Sequence, residues 1–273
     1  MVKVADSLSP LRVPARISVA MMAGLLLATG CTPSSQATAR RATAIVIFVD
    51  FSQSIRSEDR ALFQEDIENR IIPSVSAGDR ILIAPITDKT LTEFRPLVEA
   101  TFPQKPEFSG WLDNVLNYNR QLKDLDTQVA RLKEETRAQV AAMFGRRFSS
   151  PQTDIFSSLL LAQKLFHNEP RRKVLVLMSD MIEDNPPYRF EHISWSPATN
   201  QKILSELDAR GLLPDLSGVC VYVSGVSARS AEMAERIGHF WRAYFQRTKA
   251  DMDPSRYAHV LLHWPPSRAC ALE

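Results

Sequence analysis

Glycine is scarce in this chain, with nine residues in 273, and cysteine scarcer still, with three. The glycine-rich lysine loop that cradles nucleotide phosphates is absent, which removes the commonest phosphate-binding reading. The five histidines are scattered, so no zinc spacing forms. The serines near Asp50 have no well-placed histidine, and no nucleophile, base and orienter can be assembled. Strong charge of either sign is missing as well. Lys and Arg number 33 against 31 Asp and Glu. Residues 1–30 carry Lys3, Arg12, Arg16 and Asp6, so the remainder nets about zero, and a nucleic-acid partner is not implied. No apolar run is long enough to span a bilayer; the longest at the N-terminus is Ile17 to Ala28.

What the chain does have is a set of β-branched runs that end in oxygen side chains. Ala44 to Asp50, within TAIVIFVDFSQS, reads as a strand buried on both faces. It ends in Asp50, Ser52 and Ser54, where open α/β sheets place their ligands. KVLVLMSD, Lys173 to Asp180, is a second such strand. Between them Thr153 and Asp154 open an amphipathic helix. Asp50, Ser52, Ser54, Thr153 and Asp180 can therefore converge on one sheet edge. Carboxylates and hydroxyls are hard donors that suit Mg²⁺ or Mn²⁺.

This order of motifs resembles the von Willebrand factor type A (VWA) domain with its metal-ion-dependent adhesion site, over roughly residues 42–247. The family has Asp-x-Ser-x-Ser after its first strand, a threonine in a middle loop and an aspartate after its fourth strand. The resemblance implies that Ser52, Ser54 and Thr153 ligate the ion directly, and Asp50 and Asp180 directly or through water. It also implies an open coordination position that takes an acidic side chain from a protein partner. The chain departs from the family at two loops: Ser149 to Gln152 replaces glycines, and Met181 stands where glycine is frequent. Glu183 and Asp184 extend the acidic rim and could also approach the ion.

The first forty residues read as processing signals. A basic region, a short apolar segment and small residues precede Cys31. LATGC, Leu27 to Cys31, resembles a bacterial lipoprotein signal, which implies an acylated Cys31 and contact with a bilayer; an uncleaved anchor helix is the alternative. Thr32, in place of aspartate, implies by the same analogy the outer membrane, facing the periplasm. The expected organisation is a signal peptide at 1–30, a flexible tether at 31–41, a VWA-like domain at 42–264 and a tail at 265–273. Export permits a disulfide between Cys220 and Cys270, and sequence does not measure their separation.

Along the domain, a helix is expected over Glu58–Arg70 with Ser57 as a plausible cap, a strand over Asp79–Ile86 and a short edge strand within Thr90–Ala100. A long helix is expected over about 111–144. Its surplus length either projects as an arm or lies on the sheet. The aromatics Tyr188, Phe190 and Trp195 either face a partner or pack down. Further expectations are helices over Pro197–Arg210 and Ser230–Thr248, with a strand at Leu216–Gly225 between them. A final strand could lie over Tyr257–Trp264. The alternation predicts an α/β fold with a doubly wound, mostly parallel sheet, helices on both faces and a long helical insertion. The leading functional expectation is a tethered, metal-dependent binding module in the cell envelope and not an enzyme. A scaffold lipoprotein and a Mg²⁺-dependent phosphohydrolase are the alternatives; the phosphatase pattern lacks its second aspartate, since Ser52 stands there.

Overall fold

The β-branched runs pair as the alternation predicts. In the computed structural model, which describes residues 41–108, 110, 114–146, 148–267 and 270, five strands form one sheet in the order β3-β2-β1-β4-β5. β1 (Thr43–Asp50) lies at the centre, parallel to β2 (Arg80–Ile86) on one side and to β4 (Arg172–Met178) on the other. β5 (Val219–Ser224) extends the sheet in parallel beyond β4, and β3 (Val98–Thr101) closes the other edge antiparallel to β2. All these residues belong to one compact unit, Arg40–Glu273.

Alternation along the strands divides the core in two. Ala44, Val46 and Phe48 of β1 face a layer that includes α4 (Ile155–Phe166), α5 (Pro197–Ala209) and α6 (Ala231–Arg247). Ile45, Ile47 and Val49 face the opposite layer, which holds Phe63 of α1 (Ser57–Asp66) and Val140 and Met143 of α3 (Val115–Phe144). α1 runs on through a π-helical stretch, Ile67–Ile71, into α2 (Ile72–Ser74). The sheet is thus covered on both faces, as parallel strands require, and the architecture is a Rossmann-like and VWA-like doubly wound α/β fold.

Several local expectations resolve differently. Ser57 starts α1 but does not cap it; the cap position is Arg56, which makes no side-chain cap and pairs instead with Asp59. The edge strand is confined to Val98–Thr101, because Lys89 to Glu93 are spent on a hydrogen-bonded turn. Tyr257–Trp264 forms no strand. Its backbone meets the end of β5 and the two residues after it through three hydrogen bonds, Ala258 N–H to Val223 O, Gly225 N–H to His259 O and Val226 N–H to Ala258 O, with one isolated bridge and no ladder. The described part of the long helix, Val115–Phe144, does both things expected of it. Its C-terminal half packs on the sheet through Val140 and Met143, while between residues 115 and 124 only Tyr118 and Leu122 are even partly covered. Tyr188, Phe190 and Trp195 pack down: all three are buried, and Phe190 and Trp195 stack edge to face at 4.8 Å.

Candidate functional site at the switch point of the sheet

Strand order reverses beside β1, so the loops after β1 and β4 part there and leave a crevice at their carboxyl ends. Asp50 sits at its floor, fully buried. Its Oδ1 accepts from Ser52 N–H at 2.8 Å and its Oδ2 from the Ser179 hydroxyl at 2.8 Å. The Ser52 and Ser54 hydroxyls lie 3.0 Å apart and share a hydrogen bond. Asp180 Oδ1 accepts from Ile182 N–H at 2.9 Å, and the Ser54 hydroxyl bonds the same carboxylate. Asp50, Ser52, Ser54 and Asp180 are thus joined through one hydrogen-bonded chain that also takes in Ser179.

Thr153 is buried in the neighbouring loop, where its carbonyl accepts from Asp184 N–H at 3.1 Å; among the described residues no side-chain hydrogen bond joins it to that chain. The loop itself is stitched to the site by its backbone. Ser150 N–H donates to Phe51 O, and Ser150 Oγ accepts from Asp88 N–H at 3.0 Å at the end of β2. Arg60 closes the other side, donating to the carbonyls of Phe51 at 3.1 Å and Ser52 at 3.0 Å. Glu183 does not approach the crevice. It turns to the start of α4 and accepts from Ile155 N–H at 2.7 Å and Phe156 N–H at 3.3 Å, while Asp154 caps the same helix through Ser157 N–H.

Electrostatics follow from burial. Desolvation raises the Asp50 carboxyl above its ordinary value, against hydrogen bonds from Ser52 and Ser179 that pull it down. The Asp180 carboxyl is pushed up to about 7, first by burial and then by the neighbouring Asp50. The pair holds a proton more readily than two free aspartates do.

The expected metal centre is corrected on these grounds. Among the described residues, the one group of three or more Cys, His, Asp or Glu side chains able to converge on an ion is Cys220, Asp251 and Cys270. There the two sulfurs are joined in a disulfide and cannot serve as thiolate ligands. At the crevice, the Asp50 oxygens and the two serine hydroxyls are satisfied by donors and acceptors of the same chain. Mg²⁺ or Mn²⁺ is therefore not retained as a cofactor, nor is a metal-dependent adhesion site, and the metal-dependent binding module and the Mg²⁺ phosphohydrolase fall with it. The resemblance to the VWA family holds for the fold and stops there.

The partner expectations change in the same way. An acidic side chain offered to the ion has no ion to meet. Cys31 lies outside the described residues; within them both cysteines are consumed by the disulfide, and no helix is long and apolar enough to cross a membrane. The bilayer is not retained as a partner.

Sequence reasoning missed Ser179, Arg60 and the role of Glu183. Ser179 ends a strand run, and no spacing rule points its hydroxyl at a residue far earlier in the chain. Gly225 carried a weak signal. Its φ is +105°, and a Cβ there would meet the Phe63 ring at 2.6 Å and Ser179 O at 2.9 Å, so the close approach of β5 to the crevice requires glycine.

No family model matches the chain, and no curated protein matches it. Solved structures with similar folds include proximal thread matrix protein 1 from the mussel byssus, 15% identical with a TM-score of 0.35, covering 72% of this chain and 41% of that one. Manganese-loaded Plasmodium vivax TRAP protein is 12% identical with a TM-score of 0.39, covering 73% and 63%. A von Willebrand factor type A protein from Catenulispora acidiphila is 12% identical with a TM-score of 0.37, covering 78% and 43%. This chain thus matches less than two thirds of each of those proteins. None of the three is named as an enzyme, and at these scores the likenesses say nothing about this chain's chemistry.

Proposed function

We propose that this chain is a non-catalytic protein-interaction domain working in an oxidising compartment outside the cytoplasm, and that the outer part of α3 is its contact element. The observation that carries the reading is the apolar surface at the start of that helix. Val115 is 59% exposed and Leu116 73%, at the first two residues of the helix, and Phe108, whose ring meets that of Tyr118 on the same helix, is 44% exposed. Monomeric proteins seldom leave large aliphatic groups together on a projecting element without a partner to cover them. Helix α3 is 30 residues long, or about 45 Å, so its first turns reach well beyond the packed half. The Cys220–Cys270 disulfide supports the compartment, since such bonds persist where thiols are not kept reduced.

The test is a photoreactive residue placed at Leu116 and, as a control, at the exposed Lys164 of α4, in cells producing the full chain. A discrete adduct from position 116 that is absent from 164, and lost when Val115→Asp accompanies it, is expected. Equal adducts from both positions, or none from either, would show that α3 is not the contact element.

A further inference from the structure

The Cys220–Cys270 disulfide has a charged neighbour. A cysteine buried among apolar groups is ordinarily inert, because that setting disfavours its thiolate. On one side this bond meets a cation instead. Arg256 brings Nη1 to 2.8 Å from each sulfur, with its guanidinium 5.3 Å from the centre of the Tyr222 ring. Its Nη2 donates to Asp251 Oδ1 at 2.6 Å, and Nη1 also reaches Asp251 O at 3.1 Å, which fixes the guanidinium plane. Only 11% of the side chain is exposed.

This arrangement favours the open bond over the closed one. A disulfide sulfur accepts hydrogen bonds weakly and a thiolate accepts them strongly, above all from a charged donor. The same Nη1 therefore gives little to the disulfide and much to the thiolate that appears when it breaks. Asp251, Asp253 and His263 are the other titratable groups in the groove beside the bond. The two carboxylates oppose a further negative charge, but Asp251 is matched by Arg256 and Asp253 accepts from Ser255 N–H and Oγ–H. The two sulfurs also differ in access. Cys220 is sealed within β5, whereas Cys270 lines the groove, a space of about 600 Å³ beside Tyr222 and Pro265. The open route for an incoming thiolate leads to Cys270.

We infer that Cys220–Cys270 is an exchangeable disulfide, opened at Cys270 by a dithiol protein, with Arg256 as the positioning residue that receives the Cys220 thiolate. The thiolate of the partner attacks Cys270 Sγ and forms a mixed disulfide. The Cys220–Cys270 bond breaks, and its electron pair goes to Cys220 Sγ beside Arg256. A stabilised leaving thiolate speeds that step. The second thiol of the partner then gives its proton to solvent and attacks its own sulfur in the mixed disulfide. Cys270 leaves and takes a proton from solvent. The partner ends as a disulfide and the chain as a Cys220 thiolate and a Cys270 thiol. Backbone hydrogen bonds between Asp251 and both Val219 and Val221 stay in place, so opening frees Cys270 and leaves the earlier part of the segment on β5. The disulfide is the resting form in an oxidising compartment, and the inference does not depend on α3.

The full chain is treated with excess dithiothreitol under native conditions, and free thiols are alkylated at timed intervals and located by mass spectrometry. The bond is expected to open while circular dichroism shows the protein still folded. Arg256→Gln is expected to slow opening by about tenfold, the size of one charge-assisted hydrogen bond, and Arg256→Lys to recover part of the rate. A merely structural Arg256 has the opposite sign, since its loss would loosen the segment and speed opening. Glutathione is expected to leave its adduct on Cys270; this placement is read on the unaltered protein and stands even where the variants do not fold. A rate in Arg256→Gln equal to or above that of the parent, an adduct on Cys220, or opening only in urea that unfolds the parent would overturn the inference. Failure of reduced thioredoxin to open the bond where dithiothreitol does would overturn the choice of a protein reductant.

Discussion

Met181 shows how a single residue departs from the pattern that its neighbours follow. It adopts φ +64° without being glycine. Its N–H donates to Ser179 Oγ at 3.0 Å and its carbonyl accepts from Trp241 Nε1 at 2.8 Å, so the backbone there is held from both sides. The left-handed conformation costs a non-glycine residue about 1–2 kcal/mol. The side chain is fully buried, and removing a buried methionine costs about 2–5 kcal/mol. Met181→Gly is therefore expected to destabilise the protein by about 1–3 kcal/mol in urea unfolding. Glu183 gives the second prediction at this scale. Burial, and after it Asp154, raise its carboxyl well above the ordinary 4.5, against backbone N–H groups of Ile155, Asn185 and Phe156 that lower it. The folded state then binds this proton more tightly than the unfolded chain does. Its contribution to stability is complete below pH 4.5 and is lost as pH rises towards the folded value. Asp154 and Tyr244 are its titratable neighbours. Glu183→Gln is expected to gain in melting temperature on the parent as pH rises; parallel pH profiles for the two proteins would refute this.

At the scale of elements, the sequence is legible wherever one period dominates. Ala44 to Asp50 is apolar on both faces and became a central strand; Met233, Ile237, Phe240, Trp241, Tyr244 and Phe245 recur at helical spacing, and all but the partly covered Met233 became the buried side of α6. Legibility fails where a segment has no period of its own. Tyr257–Trp264 is apolar enough for a strand but does not alternate, and among the described residues it makes one isolated bridge to β5, Tyr257 with Val223. The long helix was legible in extent but not in which part is covered, because its apolar residues recur along its whole length. Two substitutions on it should behave oppositely. Val140→Ala, at a site with no exposure, is expected to cost about 2–3 kcal/mol. Leu116→Asp, on the exposed turn, is expected to stay within about 0.5 kcal/mol of the parent in the same denaturation measurement.

For the molecule as a whole, the disulfide matters most. Cys220 lies within β5 and Cys270 is 50 residues later, so the bond closes a long loop. Arg256 lies against it, donating to both sulfurs and pairing with Asp251, above the Tyr222 ring. Loop-closure entropy for that separation is about 4 kcal/mol, an upper figure given that measured values cluster at about 2–4. Replacing both cysteines by serine is expected to lower stability by that order, read as a shift in the denaturation midpoint. Alkylation before and after reduction should find thiols blocked in protein taken from its native compartment. Free thiols there would contradict the oxidising location.

The order of strands and helices, and with it the doubly wound sheet, was determined by the sequence, because hydrophobic period is a local property that survives without knowledge of partners. The five oxygen side chains were equally visible. What they do was decided by tertiary structure: Asp50 takes its second hydrogen bond from Ser179, 129 residues away, and the carboxylates and serines satisfy one another. The pairing of Cys220 with Cys270 and the burial of Trp195 were likewise beyond the sequence. Each depends on a distance between groups far apart in the chain, and local pattern carries no such distances.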